Sequence, residues 1–411
     1  MKSAKLPSIT LPDPITKVIG LVWRSCRKAL APVTPFGFTV LAVGVASWII
    51  GARLDWEEFA SVAAGCALAL LIAAIFMLGK DRIAVSIELQ PPRLVVGDTA
   101  AGRVVARNET GRRVLPFRLE APVGRGLVRS DVPSLANGAE HEELFLVPTD
   151  KRSVIPVGPV SSVRGDPLGL MRREVAWTHR IDLYVHPKTI ALAGLASGWI
   201  RDLEGMATND LSPSDVAFHT LREYVPGDDR RHVHWRTSAR IGTLMVRQFV
   251  DTRRSHLGIV VDCARDRYAS DAEFELAMSV AGSLGLRALG DGQALSCVTG
   301  ARQLACYNGD GFLDGLAGVE FGEGESSLAT TVMEAVHAVA GASVVALITG
   351  SQASIPDLRL AAQWFPENLR VLSMRVAAGG ISSYRPAGNT TVLDIAEIES
   401  LQRLLRVAGG L

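Results

Sequence analysis

Cysteine is scarce and badly placed for cross-linking. The five residues Cys26, Cys66, Cys263, Cys297 and Cys306 are odd in number, scattered, and form no Cys-x-x-Cys pair. This excludes a disulfide framework and fits a reducing compartment. Also absent are a Gly-x-x-x-x-Gly-Lys-Ser/Thr phosphate loop, a His-Glu-x-x-His helix, an internal repeat and any low-complexity tract, so nucleotide hydrolysis by this chain alone is not expected. Charge of one sign is missing as well: 43 Lys and Arg stand against 42 Asp and Glu, a net +1. Bulk electrostatics therefore gives no reason to expect a nucleic-acid partner.

What the chain has in quantity is apolar sequence, 48% of its 411 residues. The length exceeds one ordinary domain and suggests two soluble domains plus a membrane part. No charge interrupts Pro35–Ala52 or Phe59–Gly79, and only Arg53-Leu54-Asp55-Trp56-Glu57-Glu58 lies between them. A helix needs roughly 20 residues to cross the hydrocarbon layer, so residues 35–79 are expected to form a transmembrane hairpin. Lys2, Lys5, Lys17, Arg24, Arg27 and Lys28 precede it, Lys80 and Arg82 follow it, and the connection has only Arg53. The positive-inside rule then puts both termini in the cytoplasm of a multi-pass inner (plasma) membrane protein. Within the basic segment 1–34, Ile15, Val18, Ile19, Val22, Trp23, Cys26 and Leu30 share one helical face. This is the pattern of a helix lying in the headgroup layer, or of a short helix packed on the protein.

From 83 to 190 the helical period disappears. Val85–Leu89, Gly102–Ala106, Phe117–Leu119, Leu144–Val147, Ser153–Val157 and Ile181–Val185 read as short strands between turn signals such as Ala136-Asn137-Gly138. That spacing predicts an antiparallel β-sandwich of immunoglobulin-like type. His141, His179 and His186 are isolated, so this domain is assigned no chemistry.

The densest run of unusual residues is Phe218–Arg240, within the segment 191–256. It includes Arg222, Glu223, Tyr224, Pro226, Gly227, Asp228, Asp229, Arg230, Arg231, His232, His234, Trp235, Arg236, Ala239 and Arg240. Asp228 or Asp229 is placed to cap a helix from about Arg230 to Arg240, ended by Gly242, with a strand from Leu244 to Val250. Three readings compete. Asp228, Asp229, His232 and His234 could ligate a metal, but on a helix the two histidines point about 200° apart. The arginines could bind phosphate, though acidic residues are interleaved. The third reading is an internal network of arginine–carboxylate forks, making the segment a buried structural junction.

The run Arg222–Asp229 followed by Arg231, His234-Trp235, Ala239-Arg240 and Leu244-Met245-Val246-Arg247 resembles the signature of the DUF58 family, a bacterial and archaeal domain of unknown function. Gly165-Asp166-Pro167-Leu168-Gly169-Leu170, before Tyr184-Val185-His186-Pro187, resembles that family's lead-in, as does the two-helix N-terminus. The resemblance implies association with a MoxR-type AAA ATPase.

From 257 to 411, apolar strands alternate with amphipathic helices. Strands are expected at Leu257–Asp262, Ala294–Thr299, Gln303–Tyr307, Ser343–Ile348 and Leu369–Ala377, and helices at Asp271–Ala288, Ser327–Val339, Ser354–Gln363 and Leu393–Val407. The alternation predicts an α/β doubly wound sheet. Its order resembles a von Willebrand factor A domain, whose metal loop is Asp-x-Ser-x-Ser. The matching residues here are Asp262, Cys263, Ala264, Arg265 and Asp266. Only the leading Asp262 is retained and Gly350 stands where a second carboxylate is expected, so the site reads as degenerate, holding neither metal nor other cofactor.

The expected function is therefore a membrane-anchored cytoplasmic adaptor, not an enzyme, serving an ATPase and a client protein. The alternatives are a metal-dependent hydrolase using the Asp/His segment, or a structural factor in envelope or polymer export.

Overall fold

The computed structural model describes residues 32–77, 83–192, 218–249, 256–322, 327–367 and 369–408. The amphipathic stretch expected within 1–34 lies outside the described residues, apart from its last three positions, and so does 193–217. By backbone contacts the described chain divides into two compact units, one made of 32–77, 83–93, 99–148 and 155–183, the other of 94–98, 149–154 and the described residues from 184 onward.

The first unit begins with two 20-residue helices, α1 (Pro35–Leu54) and α2 (Glu57–Phe76). Pro35 takes the first helical position, where a missing N–H is no loss, and the Thr34 hydroxyl accepts from the Gly37 N–H to cap the end. Asp55, at φ 55, ends α1 in the left-handed region, and Trp56 leads into α2, whose first turn carries Glu57 and Glu58. The two helices approach through small residues, since a β-carbon on Gly44 would come within 2.9 Å of the Cys66 β-carbon. Outward they expose Trp48, Leu68, Leu71 and Ile75. Both are long and apolar enough to cross a membrane, as expected.

Ten strands follow: β1 (Ile83–Gln90), β2 (Arg93–Val95), β3 (Ala100–Asn108), β4 (Phe117–Val123), β5 (Gly126–Val132), β6 (Glu140–Val147), β7 (Ser153–Val157), β8 (Ser161–Gly165), β9 (Arg172–Ala176) and β10 (Ile181–His186). β1, β3 and β6 form an antiparallel sheet in which Ile83 faces Asn108 and Ala100 faces Val147. β3 alternates between buried and exposed residues along its length, the mark of a sheet with one face inward. β4 pairs with β5, with β8 and, at Val123, with Val157 of β7, while β8 pairs with β9. Each stretch expected to be a strand lies within one; β2, β5, β8 and β9 are additions.

The Gly165–Leu170 motif roots the helices. Its buried Asp166 accepts from the N–H groups of Leu168 (2.9 Å) and Met171 (2.6 Å), fixing a turn in which Gly169 has φ 70. The Thr34 hydroxyl donates to the Gly169 carbonyl at 2.7 Å, and a β-carbon on Gly37 would lie 2.1 Å from the Leu170 carbonyl oxygen.

The second unit contains a small antiparallel pair, β11 (Phe218–Glu223) and β12 (Met245–Phe249), with α3 (Trp235–Ile241) between them. Then come β13 (His256–Val261), α4 (Asp271–Gly290), β14 (Ala294–Thr299), β15 (Arg302–Leu304), α5 (Gly309–Ala317), α6 (Leu328–Val336), β16 (Val344–Gly350), α7 (Ile355–Ala362), β17 (Arg370–Val376), β18 (Ser383–Ala387), β19 (Thr390–Ile395) and α8 (Ser400–Ala408). The sheet order is β15-β14-β13-β16-β17-β19-β18, parallel except at the two edge strands. Ile259, Ala346, Leu372 and Leu393 pack with α4, α5 and α8 on one face, and Val260, Leu347, Val371 and Val392 with α6 and α7 on the other. Strands covered on both faces read as unbroken apolar runs, as β16 does.

Three expectations fail here, the first at Gln303–Tyr307, where strand β15 already ends at Leu304. Leu393 to Ile395 is the end of a strand, and the last helix starts only at Ser400: the β-branched run Thr390-Thr391-Val392 pairs with β17 across a buried sheet, which overrides the helical period beyond it. The segment expected as a helix from Arg230 to Arg240 is also broken, as described next.

Candidate functional site

The signature segment is a hairpin with an elaborate connection. Arg222 lies opposite Val246 in the β11–β12 register, and its guanidinium forks onto Asp228, with Nη1–Oδ2 at 2.8 Å and Nη2–Oδ1 at 2.6 Å. Asp228 also accepts from the Val225 N–H at 2.9 Å, closing the Pro226-Gly227 turn, in which Gly227 has φ 115. The fork and the Val225 N–H hold the Asp228 carboxyl below its ordinary range. Asp229 caps only one 3-10 turn, Arg230–His232, by accepting from the Arg231 N–H. Val233, its side chain buried, then takes an extended backbone and forms an antiparallel backbone bridge with Val246.

His234, not an aspartate, caps α3. Its Nδ1 accepts from the Thr237 N–H at 3.3 Å and lies 2.7 Å from the Thr237 hydroxyl. Ser238, buried, donates to the His234 carbonyl and accepts from the Met245 N–H, fastening α3 to β12. Gly242, at φ 85, ends the helix as expected.

This scaffold leaves a surface of defined chemistry. Trp235 is 65% exposed and Ile241 59% exposed; Arg230, Arg231, Arg236, Ala239, Arg240 and Arg247 are exposed too. Arg236 and Arg240 are one helical turn apart, a like-charge pair that weakens an isolated helix by about 0.2–0.5 kcal/mol. Among the described residues these arginines form no ion pair with a carboxylate, so the expected buried network reduces to the Arg222–Asp228 fork. Glu223 is exposed, while Tyr224 is half-buried and donates its N–H to the Leu244 carbonyl. Asp228, Asp229 and His234 are each committed to a separate local hydrogen bond, and no three His, Cys, Asp or Glu side chains among the described residues lie together as a metal site.

The second arrangement lies at the carboxyl ends of β13 and β16, where the strand order reverses and ligands of doubly wound sheets normally sit. Asp262 is 1% exposed; it accepts from the Ala264 N–H at 3.1 Å and the Thr349 hydroxyl at 3.0 Å. Burial pushes its carboxyl above the usual range, against the opposing pull of those two donors and of Arg267. Arg267 Nε stands 4.0 Å from Asp262 and 3.8 Å from Asp266. Glu273, also buried, accepts from the N–H groups of Ala269 and Ser351 and from the Ser351 hydroxyl. These residues do not suit a divalent ion. Ala264 offers no side-chain oxygen, Gly350 has no room for a carboxylate against the Arg267 carbonyl, and a guanidinium already faces Asp262. Burial pushes the thiol of Cys263, next to Asp262, up to about 12, and that of Cys306 up to about 11, which disfavours the thiolate form.

Arg267 was invisible as a partner of Asp262, because a 3-10 turn at Arg265–Arg267 brings it back. Arg375, Arg385 and Asp394 were missed likewise; only strand register joins them.

Comparison with known proteins places these sites in context. The chain is 26% identical over 278 residues to the uncharacterized protein YeaD of Bacillus subtilis (strain 168), covering 64% of each chain; it thus spans just under two thirds of that relative's length. Among solved structures, the metal-bound CARDB domain of a Pyrococcus furiosus protein aligns at 16% identity, with 26% of this chain, 93% of that one and a TM-score of 0.20. The PKD domain of a peptidase from a Thermoplasmatales archaeon aligns at 17% identity, with 24% of this chain, 100% of that one and a TM-score of 0.16. Overlaps of this quality carry no argument about fold or function. The signature itself is more telling: residues 220–307, from β11 through β15, match the family described as protein of unknown function DUF58.

Proposed function

We propose that this chain is a membrane-anchored adaptor that presents the α3 surface to a protein partner. In this reading α1 and α2 cross the plasma membrane as a hairpin, and the strands of the first unit and the whole of the second lie on the cytoplasmic side. The strands of the first unit make an immunoglobulin-like spacer, and the second unit contains a von Willebrand factor A-like domain that works without a metal. The partner is a MoxR-type AAA ATPase, which supplies the energy for remodelling a client.

The observation that supports this best is the exposure of Arg230, Arg231, Trp235, Arg236 and Arg240 on one short, well-fastened segment. Arginine and tryptophan are enriched at binding hot spots, and a basic surface selects an acidic partner. An enzyme would instead gather the Asp and His side chains of this segment around a pocket, and they are dispersed.

Co-purification of the full chain with the ATPase from detergent-solubilised membranes, with and without nucleotide, tests the partnership. Retention of the ATPase is expected, and its absence in every nucleotide state contradicts the reading. Orientation is tested separately with a single reactive thiol at Asp55 or in the second unit. An impermeant reagent applied to intact cells should label only the first.

A further inference from the structure

Beyond the strand ends that hold Asp262, the sheet makes a second polar site. Arg375 of β17 pairs in register with Asp394 of β19, and Asp394 in turn lies opposite Ser383 of β18. Their side chains, with Arg385, Ser351 and the rim residue Ile381, line a cavity of about 500 Å³. Asp394 is 4% exposed. Its Oδ1 accepts from Arg375 Nε at 2.7 Å, and its Oδ2 from Arg385 Nη2 at 2.6 Å and the Ser383 hydroxyl at 2.7 Å. Burial pushes this carboxyl up, but the three donors outweigh it and hold the group below its usual range.

Two guanidiniums around one carboxylate leave the cluster with one excess positive charge, and its donors are not used up. Arg375 directs Nη1 to the Ala353 carbonyl, which leaves its Nη2 without an acceptor among the described residues. Among the described residues Arg385 bonds only to Asp394, and its side chain is 51% exposed. Ile381, an aliphatic side chain 87% exposed, lines the same cavity.

We infer that this cavity binds a carboxylate that carries an apolar neighbouring group. A planar carboxylate matches the fork of a guanidinium. Its single negative charge matches the excess charge here, whereas a phosphate dianion exceeds it. Ile381 contacts the apolar group, and Asp394 positions the two arginines. The volume lies within the range of small-ligand pockets and exceeds what acetate alone fills. The free C-terminus of a peptide with an aliphatic last residue and a free aliphatic acid share this chemistry. The inference is independent of the α3 surface.

Calorimetry on the full chain in detergent tests it with four probes: N-acetyl-leucine, N-acetyl-leucinamide, the tripeptide acetyl-Ala-Ala-Leu with a free carboxylate, and inorganic phosphate. The free acids should bind at least tenfold more tightly than the amide and more tightly than phosphate. Tighter binding of the tripeptide than of N-acetyl-leucine identifies a peptide C-terminus, and equal binding a small acid. Arg385→Ala should weaken the free acids tenfold, and Arg385→Lys less, with both variants melting like the parent. Equal binding of acid and amide, preference for phosphate, or indifference to both Arg385 variants would overturn the inference.

Discussion

The carbonyl oxygen of Arg267 lies 2.1 Å from the point where a β-carbon on Gly350 would stand. The Gln352 N–H donates to this oxygen at 3.0 Å, and Arg267 itself faces Asp262. The missing second carboxylate of the loop site is thus a packing requirement. Gly350→Ala should destabilise the protein by about 1–3 kcal/mol, the usual range for overpacking, read as a lower denaturation midpoint. An unchanged midpoint would show that the Arg265–Arg267 turn yields without strain.

Asp262 gives a pH signature. Its native carboxyl titrates above the ordinary value of 3.8. Well below that value both folded and unfolded chains carry the proton and ionisation has no effect on stability. As pH rises through the ordinary value and then the raised native one, the folded chain must ionise a buried acid, and stability falls. Asp262→Asn keeps an oxygen for the Ala264 N–H and removes this penalty. Urea denaturation from acid to neutral pH should show the variant gaining on the parent across that window and then levelling off. A parent that gains on the variant instead would reverse the assigned shift.

Arg152, with 3% of its side chain exposed, forks onto Glu275 at 3.1 and 3.2 Å and donates to the Leu316 and Ala317 carbonyls at the end of α5. Hydrogen bonds involving a charged group contribute roughly 1.5–3 kcal/mol. Arg152→Ala should lower stability by that order, and Arg152→Lys should recover only part of it, because an ammonium cannot make the same fork. Full recovery with lysine would mean that charge alone matters here.

The reach of sequence reasoning differs along the chain. The hairpin was legible because charge-free runs near 20 residues have few other uses, and Pro35, Asp55 and Glu57 mark their ends. The α/β alternation was legible from buried apolar strands, but β19 was read as helix because Leu393 to Val407 carries a helical period that begins in earnest only at Ser400. The signature was found, and among the described residues its expected network comes down to the Arg222–Asp228 fork. Nothing local says that Val233 would pair with Val246 and break the helix, or that Arg236 and Arg240 would face outward. The Arg375–Asp394–Arg385 cluster depends on three strands meeting in register, which no local pattern encodes.

The exposure of Arg240 bears on an expected outcome. A buried junction would make Arg240→Ala and Asp229→Ala strongly destabilising. With Arg240 exposed and Asp229 capping a single 3-10 turn, Arg240→Ala should alter stability by no more than about 0.5 kcal/mol, as surface changes usually do. Asp166→Ala, which strips the buried acceptor from two N–H groups beneath α1, should be the more damaging of the two in thermal melts. A large loss in Arg240→Ala would restore the junction reading.

The most direct measurement is the affinity of the full chain for the proposed MoxR-type ATPase when the α3 surface is reversed in charge. Arg236→Glu with Arg240→Glu alters two exposed side chains and should leave the melting temperature nearly unchanged. The account predicts at least tenfold weaker binding, with a parent affinity that falls as salt is raised. Unchanged affinity in the double variant, or a parent complex indifferent to salt, would contradict it.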